Sequence, residues 1–476
     1  MSNRITARIV LVCLFVSALS AAAVGAGKDG VADLIARYDA AKANYTLNVV
    51  RLHDGAVLFE HNPHSALMPA SNEKIVTSAF ALKRLGPNFQ FRTVLGMAGD
   101  DLVVLGDGDP TSGDPVIAKD NKSTIYAMLD AWAAKLKHRG LTKIDGNLLI
   151  RTGIFQPPGI CPEWERKHVG TWYGAPVAGV NFNDNCFDVM FEGKSPALTP
   201  VLRPDSRFFT VINSAKSGPK QLWHCVVNPE GSQLTITGTL AKAAADPTFV
   251  PTTNPGYLFG AALAERIIQA GIPFSGKIIV SADPADAAGP GGLQIIAEEK
   301  TPLSAAMSRA NKRSLNMMAE CLFLRSGVEK GAPATWKGTA ELAEKTLQAA
   351  YDIPEEELVI ADGSGLAREN HISSSAMCKL LSGLVKEKIF VDSLAIGGTD
   401  GSLNKRFTEP RYTNRVIAKT GTINNVSSLS GYILDHTGDP VLAFSILVNG
   451  AGGAKMSPHD FQDAVCEALV RQVDGE

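Results

Sequence analysis

The pattern of hydrophobic positions predicts a helix, a hairpin and a second helix near the start of the chain. Apolar side chains recur every three to four residues over 31–43, which indicates an amphipathic helix. Strand-like runs follow within 46–59 and are joined at Asp54-Gly55, a pair typical of hairpin turns. A further helix is predicted over 71–85, because Gly86 suits the position that follows a helix.

The composition and the hydrophobic pattern of the sequence change between about residue 93 and residue 300. This stretch is rich in Gly, Pro, Asn and Asp and has short β-like runs, interrupted by helical patterns near 125–136 and 258–270. From about 302 onward helical patterns return, then strands, and Ser457-Pro458 opens a last helix. The elements predicted in this last part are helices over 303–326, 339–350 and 374–386, and strands over 415–423, 428–434 and 441–448.

A chain of 476 residues is too long for one ordinary core, so the elements are expected to fall into several domains. The helix and hairpin at the start and the strands and helix at the end predict one α/β domain, formed by 27–92 and 301–476. Residues 93–300 are predicted to be an inserted region made of two smaller β-rich domains.

The first residues of the chain have the composition of a secretory signal peptide. Arg4 and Arg8 precede an apolar run over 9–19, and small residues follow over 21–26. We therefore expect 1–26 to be removed on export, which places the mature chain in the periplasm or another extracytoplasmic part of the cell envelope. An uncleaved membrane anchor is the alternative, but the run is shorter than the roughly 20 residues of a membrane span. No later stretch is long and apolar enough to span a membrane.

Composition and charge exclude several classes of function. The chain is 45% hydrophobic and 20% charged, as globular proteins are, and its net charge of −2 gives no basic face for nucleic acid. Six cysteines follow the signal; an oxidising compartment permits disulfides between them, but their spacing specifies none. Neither C-x-x-C nor H-E-x-x-H occurs, so no zinc-ribbon, redox or zinc-peptidase motif supports a metal site.

The first candidate for chemistry is the pair Ser71 and Lys74. On a helix, residues three apart share a face, so the lysine amine can reach the serine hydroxyl. A hydroxyl becomes a good nucleophile when a neighbouring base removes its proton, and a desolvated lysine can be that base. The same spacing recurs at Ser217 and Ser402, without a following helix, so the spacing alone does not exclude an ordinary helix cap.

Two further short motifs carry suitable side chains. Ser314 and Asn316 lie at a break between helical segments, where a hydroxyl and an amide two residues apart can face one cleft. Lys419-Thr420-Gly421 lies in a strand-like run, where a strand edge can pair with an extended peptide and a lysine can bind its carboxylate. Taken singly, each motif is equally compatible with a polar turn or a solvated surface strand.

The three motifs together, in this order, are typical of penicillin-binding proteins and class A β-lactamases, which have Asp where this chain has Leu315. The chain resembles the low-molecular-mass class C penicillin-binding proteins over most of its mature length. The long interval between Ser71 and Ser314 supports this resemblance, since compact β-lactamases have no room for such an insertion. Further matching segments are Leu85-Gly86-Pro87, Gly108-Asp109-Pro110, Asp362-Gly363-Ser364-Gly365-Leu366 and Gly398-Thr399-Asp400-Gly401.

The resemblance implies the fold, the reaction and a role for each residue. The fold would be a transpeptidase-like domain, an antiparallel sheet flanked by helices, interrupted by two inserted domains. The reaction would be D-Ala-D-Ala carboxypeptidase or endopeptidase hydrolysis of peptidoglycan peptides, inhibited by β-lactams. The implied roles are nucleophile for Ser71, general base for Lys74, proton relay for Ser314, substrate amide contact for Asn316, carboxylate binding for Lys419 and Thr420, close substrate approach for Gly421, and an oxyanion hole from the N–H groups of Ser71 and Thr422.

Two alternatives stay open at this point. One is a β-lactamase or esterase on the same fold, which would turn the drug over rapidly. The other is a non-catalytic peptidoglycan-binding scaffold whose inserted domains engage other proteins of the cell wall. The Asp362-Gly363-Ser364-Gly365 run is interpreted as a tight turn beside the cleft rather than as a nucleophile, because glycine follows both polar residues.

Overall fold

The computed structural model describes residues 30–476, except 195–196, 288 and 330–331. The predicted signal peptide, 1–26, lies outside the described residues. In the described part of the chain, no helix combines the length and the apolar character needed to cross a membrane.

Helices and strands succeed one another along the whole described chain. The helices are α1 (Val31–Ala40), α2 (Glu73–Leu85), α3 (Pro115–Asp120), α4 (Ala127–His138), α5 (Pro255–Gln269), α6 (Leu303–Lys312), α7 (Asn316–Ser326), α8 (Trp336–Tyr351), α9 (Ser374–Leu384), α10 (Lys388–Val391) and α11 (Pro458–Val473). The strands are β1 (Tyr45–Arg51), β2 (Val57–His61), β3 (Gln90–Ala98), β4 (Asp101–Gly106), β5 (Leu148–Arg151), β6 (Cys186–Lys194), β7 (Ala197–Arg203), β8 (Thr210–Asn213), β9 (Lys216–Ser217), β10 (Leu222–Val227), β11 (Gln233–Leu240), β12 (Ala244–Pro251), β13 (Ile278–Ser281), β14 (Gln294–Pro302), β15 (Leu358–Val359), β16 (His371–Ile372), β17 (Ala395–Ile396), β18 (Val416–Ile423), β19 (Val426–Leu434) and β20 (Pro440–Val448).

The sheet that organises the molecule has six strands in the order β17-β18-β19-β20-β1-β2, and every pairing in it is antiparallel. Because β1 pairs with β20, the sheet joins strands from the two ends of the described chain. One face packs on α1 and α11 through side chains such as Leu34 and Phe461. The other face packs on α9, and α2 and α7 continue the core behind it. The predicted mixed α/β fold with a helix-flanked antiparallel sheet is therefore confirmed.

The middle of the chain forms further sheets with cores of their own. A five-stranded sheet in the order β13-β5-β4-β3-β14 packs on α4 and α5. Two smaller sheets, β12-β6-β7 and β10-β11-β8, bury a separate cluster that includes Phe187 and Ile236. The strands β3 and β14 pair with each other where this region leaves and rejoins the first domain. The exact borders of the inserted domains stay a prediction.

The structure refines two predicted boundaries. The helix expected over 71–85 begins at Glu73, because Ala70–Asn72 forms a separate 3-10 turn. The helical pattern over 303–326 is divided at the expected break, where Ser314 adopts a φ of +59°. At the last helix, the Ser457 hydroxyl accepts a hydrogen bond from the Asp460 N–H, as its predicted capping role requires.

The cysteines of the described chain form no disulfide. Six thiols are unpaired, and all but Cys225 are buried. Cys321 and Cys466, for example, lie in the two cores on opposite faces of the main sheet. The five buried cysteines therefore act as small apolar core residues.

Candidate active site

Ser71 lies in a turn that is bound directly to the strands β18 and β19. Ala70 has a left-handed φ of +46°, which turns the chain sharply before α2. The Asn72 side-chain amide is hydrogen-bonded to both strands. Its nitrogen donates to the Lys419 carbonyl oxygen (2.5 Å), and its oxygen accepts from the Leu429 N–H (3.2 Å). The Ser428 hydroxyl donates to the Pro69 carbonyl oxygen at 2.6 Å. The position of Ser71 is therefore set by the sheet as well as by the helix that follows it.

Lys74 is fully buried, and its amine lies between Ser71 and two acceptors. Its Nζ donates to the Ser71 Oγ at 3.0 Å, to the Asn316 Oδ1 at 2.8 Å and to the Ser364 carbonyl oxygen at 2.7 Å. Burial lowers the pKa of Lys74 from 10.5 to about 8, although nearby carboxyl groups oppose this shift. At pH 7 roughly a tenth of the molecules therefore carry a neutral amine beside the hydroxyl.

Ser314 and Asn316 lie where α6 gives way to α7. The left-handed backbone at Ser314 interrupts the helix and exposes its hydroxyl to the cleft. Asn316 is the first residue of α7, and its amide bridges two parts of the chain. The Asn316 oxygen accepts from Lys74, and its nitrogen donates to the Tyr173 carbonyl oxygen at 2.9 Å. The inserted region, which contains Tyr173, thus fixes the orientation of a cleft residue.

Lys419, Thr420, Gly421 and Thr422 follow one another on β18. The buried Lys419 Nζ donates to the Ser314 Oγ at 2.9 Å, while the Thr420 hydroxyl donates to the Ser402 Oγ at 2.8 Å. Burial lowers the pKa of Lys419 well below its ordinary value, and the charge of Lys74 lowers it further. A Cβ at Gly421 would overlap the Ser428 hydroxyl and would lie 2.9 Å from the Ser71 nitrogen, so the close approach of the strand requires glycine.

Buried carboxyl groups surround the far side of Lys74. Burial, with Asp362 and Glu320 nearby, raises the pKa of Glu73 well above its ordinary value. Burial and the charge of Asp362 raise the pKa of Glu320 to about 8. The raised pKa values of Glu73 and Glu320 favour their neutral forms, which weakens the negative charge that would keep Lys74 protonated.

Asp362 holds together the turn that presents the Ser364 carbonyl oxygen to Lys74. Its carboxylate is fully buried and accepts from the Gly365 N–H at 2.7 Å and from the indole N–H of Trp164 at 2.7 Å. It also accepts from the Asn370 amide at 2.8 Å. The predicted interpretation of this run as a tight turn beside the cleft is confirmed.

Gly365→Ala is expected to destabilise the protein more than an ordinary glycine substitution. Gly365 has a φ of +81°, and a Cβ there would overlap the Ala70 carbonyl oxygen in the turn of the candidate nucleophile. The left-handed backbone alone costs a Cβ-bearing residue about 1–2 kcal/mol, and the overlap adds roughly 1–3 kcal/mol. The measurement is the free energy of unfolding by urea, together with the rate of acylation by benzylpenicillin.

Gly438→Ala is the matched control for that substitution. Gly438 has a similar φ of +90°, but no heavy atom lies within 4 Å of an added Cβ. This variant should lose only the backbone contribution and keep the wild-type acylation rate. Equal losses of stability in the two variants would show that the contact between Gly365 and Ala70 does not brace the turn.

The cleft is a cavity of about 400 Å³ that opens at Ser71. Its walls come from the first domain and from the inserted region, and both polar and apolar side chains contribute. The lining residues are Ser71, Glu165, Lys167, His168, Trp172, Tyr173, Arg313, Ser314, Asn316, Gly365, Leu366, Arg368, Thr422, Ile423 and Asn424. The cavity extends past the end of β18, which leaves room for an extended substrate.

The residues predicted as a site from the sequence are brought together by the fold. One hydrogen-bonded group contains Ser71, Lys74 and Asn316, and a second contains Ser314 and Lys419. Ser402 was not predicted as a site residue, because its motif repeats the spacing of Ser71 and Lys74 without a following helix, yet its hydroxyl accepts a hydrogen bond from Thr420. The glycines at 398 and 401, which both adopt a positive φ, could have indicated from the sequence that this segment is a structured loop.

Comparison with known proteins decides between the enzyme families that share such a cleft. The family model described as "D-Ala-D-Ala carboxypeptidase 3 (S13) family" matches residues 28–471. The chain belongs to this family. The expected resemblance to low-molecular-mass class C penicillin-binding proteins is thereby confirmed, as is the predicted enzyme class, a serine-type D-Ala-D-Ala carboxypeptidase.

Two curated relatives are similar to this S13 chain along most of their length. D-alanyl-D-alanine carboxypeptidase DacB of Haemophilus influenzae is 26% identical over 422 residues, which are 84% of each chain. A D-alanyl-D-alanine carboxypeptidase of Actinomadura sp. is 28% identical over 453 residues, 89% of this chain and 80% of the relative. The inserted region is therefore matched together with the peptidase domain.

The fold of this S13 chain is also that of a solved structure. Penicillin binding protein 4 of Haemophilus influenzae superposes with a TM-score of 0.74 at 22% identity, covering 93% of this chain and 100% of that one. The same protein complexed with a β-lactam gives a TM-score of 0.69, also at 22% identity, over 93% of this chain and 99% of that one. Because 93% of this chain is covered, the likeness of fold includes most of the inserted region.

Proposed function

We propose that the chain hydrolyses the D-Ala-D-Ala bond, or a related D-amino-acid crosslink, in peptidoglycan peptides through an acyl-enzyme on Ser71. The observation that carries this proposal is the fully buried Lys74 amine, held 3.0 Å from the Ser71 hydroxyl by two further acceptors. Burying a lysine amine without a partner of opposite charge costs free energy. Among the described residues, no carboxylate is hydrogen-bonded to the Lys74 amine. Its placement is explained if it accepts the serine proton.

The proposed first step breaks the scissile amide bond. Neutral Lys74 takes the Ser71 proton as the Oγ attacks the substrate carbonyl carbon, and the carbonyl oxygen gains negative charge. The N–H groups of Ser71 and Thr422 donate to that oxygen, as an oxyanion hole requires. The proton passes to the leaving amine along Ser314, whose hydroxyl lies 2.9 Å from the Lys419 amine. Water then attacks the acyl-enzyme ester and releases the shortened peptide and free Ser71.

The arrangement of β18 supports a peptide substrate. The partner strand β17 pairs only with Ile417 and Ala418, so beyond them this edge of β18 has no strand partner among the described residues. An extended peptide can hydrogen-bond there with Lys419–Thr422. Lys419 and Thr420 would hold the carboxylate of the leaving residue, and Gly421 lets the peptide approach closely. Asn316 would contact the substrate amide.

The proposed location of the reaction is outside the cytoplasm. Peptidoglycan lies in the cell envelope, and residues 1–26 have the composition of a signal peptide. We infer export to the periplasm or another extracytoplasmic compartment. The mature chain would then act on peptidoglycan peptides and react with β-lactam antibiotics, without nucleic acid and without a metal or organic cofactor.

Brief exposure to benzylpenicillin followed by intact mass spectrometry tests the proposal. We expect the mass to increase by one drug molecule, and peptide mapping to locate the drug on the peptide that contains Ser71. Destruction of the drug without a lasting adduct would favour a β-lactamase, the first alternative. A chain that neither binds nor destroys the drug and leaves D-Ala-D-Ala peptides intact would favour the non-catalytic scaffold.

A further inference from the structure

The loop that follows β17 brings Ser402 beside Thr420. Strand β17 pairs with Ile417 and Ala418 and then ends, and the chain turns back through a 3-10 turn at Gly401–Leu403. The Ser402 hydroxyl lies 2.8 Å from the Thr420 hydroxyl and has no other hydrogen-bond partner among the described residues. The loop therefore occupies the edge of β18 at the point where β17 leaves it.

The position of this loop is fixed by its contacts with the first domain. Gly401 has a φ of +58°, and an added Cβ would lie 2.7 Å from the Lys312 carbonyl oxygen. Asp400 pairs with the Lys312 amine and accepts from the Ile396 N–H at 2.8 Å. Lys312 is the last residue of α6. The loop is thus held between the end of α6 and β18, which keeps Ser402 next to the strand.

The groups around Thr420 suit an anion. The Lys419 amine is one residue away on β18 and is hydrogen-bonded to the Ser314 hydroxyl at 2.9 Å, without a carboxylate partner among the described residues. The carboxylate of Asp400 on the neighbouring loop is paired with Lys312, which compensates its charge. A carboxylate that reaches Thr420 therefore meets hydrogen-bond donors and an amine rather than an uncompensated negative charge.

The two hydroxyl groups can reverse the direction of their hydrogen bond. A hydroxyl has one proton to donate, and its oxygen can accept at the same time. Without substrate, the Thr420 hydroxyl donates to Ser402. When a carboxylate binds, the Thr420 hydroxyl can donate to it instead and accept a hydrogen bond from Ser402. Hydrogen bonds that run in one chain polarise each other, and a bond to a carboxylate is stronger than a bond between neutral groups. Ser402 can therefore both direct the Thr420 hydroxyl and strengthen its bond to the substrate.

We propose that Ser402 is a specificity-determining residue that holds the Thr420 hydroxyl toward the terminal carboxylate of the leaving residue. This inference rests on the proposed function, in which Thr420 binds that carboxylate. Ser402 acts through Thr420, so it is a positioning residue and takes no part in proton transfer. Its effect is selective: leaving groups that end in a free carboxylate gain from the Ser402 hydroxyl, whereas leaving groups with a neutral group at that position do not.

Two ester substrates with the same acyl part, ending in D-alanine, test this selection. One has D-lactate as its leaving group, which ends in a carboxylate, and the other has D-lactamide, which is neutral there. We expect Ser402→Ala to lower kcat/KM for the D-lactate ester about three- to tenfold, the range that one hydrogen bond accounts for. The D-lactamide ester should change by less than about twofold, because it offers Thr420 no charged acceptor. Ser402→Thr keeps the hydroxyl and should retain the wild-type preference for the D-lactate ester.

Asn404→Ala is the matched control, because Asn404 is exposed in the same loop and its side chain has no hydrogen-bond partner among the described residues. It should hydrolyse both esters as the wild type does. Equal losses for the two esters in Ser402→Ala, or no loss for the D-lactate ester, would overturn the inference. A wild type that is acylated by benzylpenicillin but does not prefer the D-lactate ester would overturn it while the proposed function stands. A wild type that hydrolyses neither ester and is not acylated would refute the proposed function, and the inference with it.

Discussion

Ser71→Ala is expected to abolish the covalent penicillin adduct and to lower kcat on a D-Ala-D-Ala peptide by about 10⁴–10⁶-fold. The serine hydroxyl is the group that would form the acyl bond, and among the described residues it is the only hydroxyl that accepts a hydrogen bond from the Lys74 amine. Losses of this size are typical when an enzyme loses its nucleophile. Intact mass after drug exposure and peptide hydrolysis by chromatography measure the two effects.

Ser217→Ala is the matched control, because Ser217 also precedes a lysine by three residues but is exposed on the short strand β9. The Ser217→Ala protein should be acylated by penicillin and should hydrolyse the peptide, both at the wild-type rate. The Ser71→Ala protein should also keep the wild-type free energy of unfolding within about 0.5 kcal/mol, since Ser71 is only half-buried. A folded Ser71→Ala protein that still carries the drug would show that another residue is the nucleophile.

The site could be predicted from the sequence because its chemistry is concentrated in short segments. Ser71 and Lys74 are three residues apart, and Lys419 to Thr422 form one strand, so local structure alone orients each group. The break at Ser314 was visible as a polar interruption of an otherwise helical pattern. The order of these segments indicated the fold because the motifs occur in one family of architectures.

The rest of the site depends on contacts between distant parts of the chain, which no local pattern records. The Tyr173 carbonyl oxygen that orients Asn316, and the Trp164 indole that binds Asp362, both come from the inserted region. The contact from Tyr173 is made by its backbone carbonyl group, so the residue type at position 173 does not predict it. The left-handed turn at 183–185 was equally invisible, although asparagine and aspartate there are the residues that tolerate such a backbone.

Lys74→Met is expected to lower the rate of penicillin acylation by about 10²–10⁴-fold, as is typical for loss of a general base. Methionine keeps most of the side-chain volume but cannot accept the Ser71 proton. Only the neutral amine can act as a base, and the pKa of Lys74 is about 8. The wild-type acylation rate should therefore rise with pH and level off above about pH 8, whereas the Lys74→Met rate should lack this step. Stopped-flow acylation between pH 6 and pH 10 measures both curves.

Lys220→Met separates this effect from the general loss of a positive charge. Lys220 is exposed and follows Ser217 with the same spacing as Lys74 follows Ser71, so this variant should keep both the rate and the pH step. A folded Lys74→Met protein that acylates within tenfold of wild type would assign the proton transfer elsewhere, with Ser314 and its partner Lys419 as the remaining route. Burial lowers the pKa of Lys419 well below its ordinary value, so a step that persists in Lys74→Met would report that second amine. The pH profile thus distinguishes the two buried lysines, which a single rate at neutral pH cannot do.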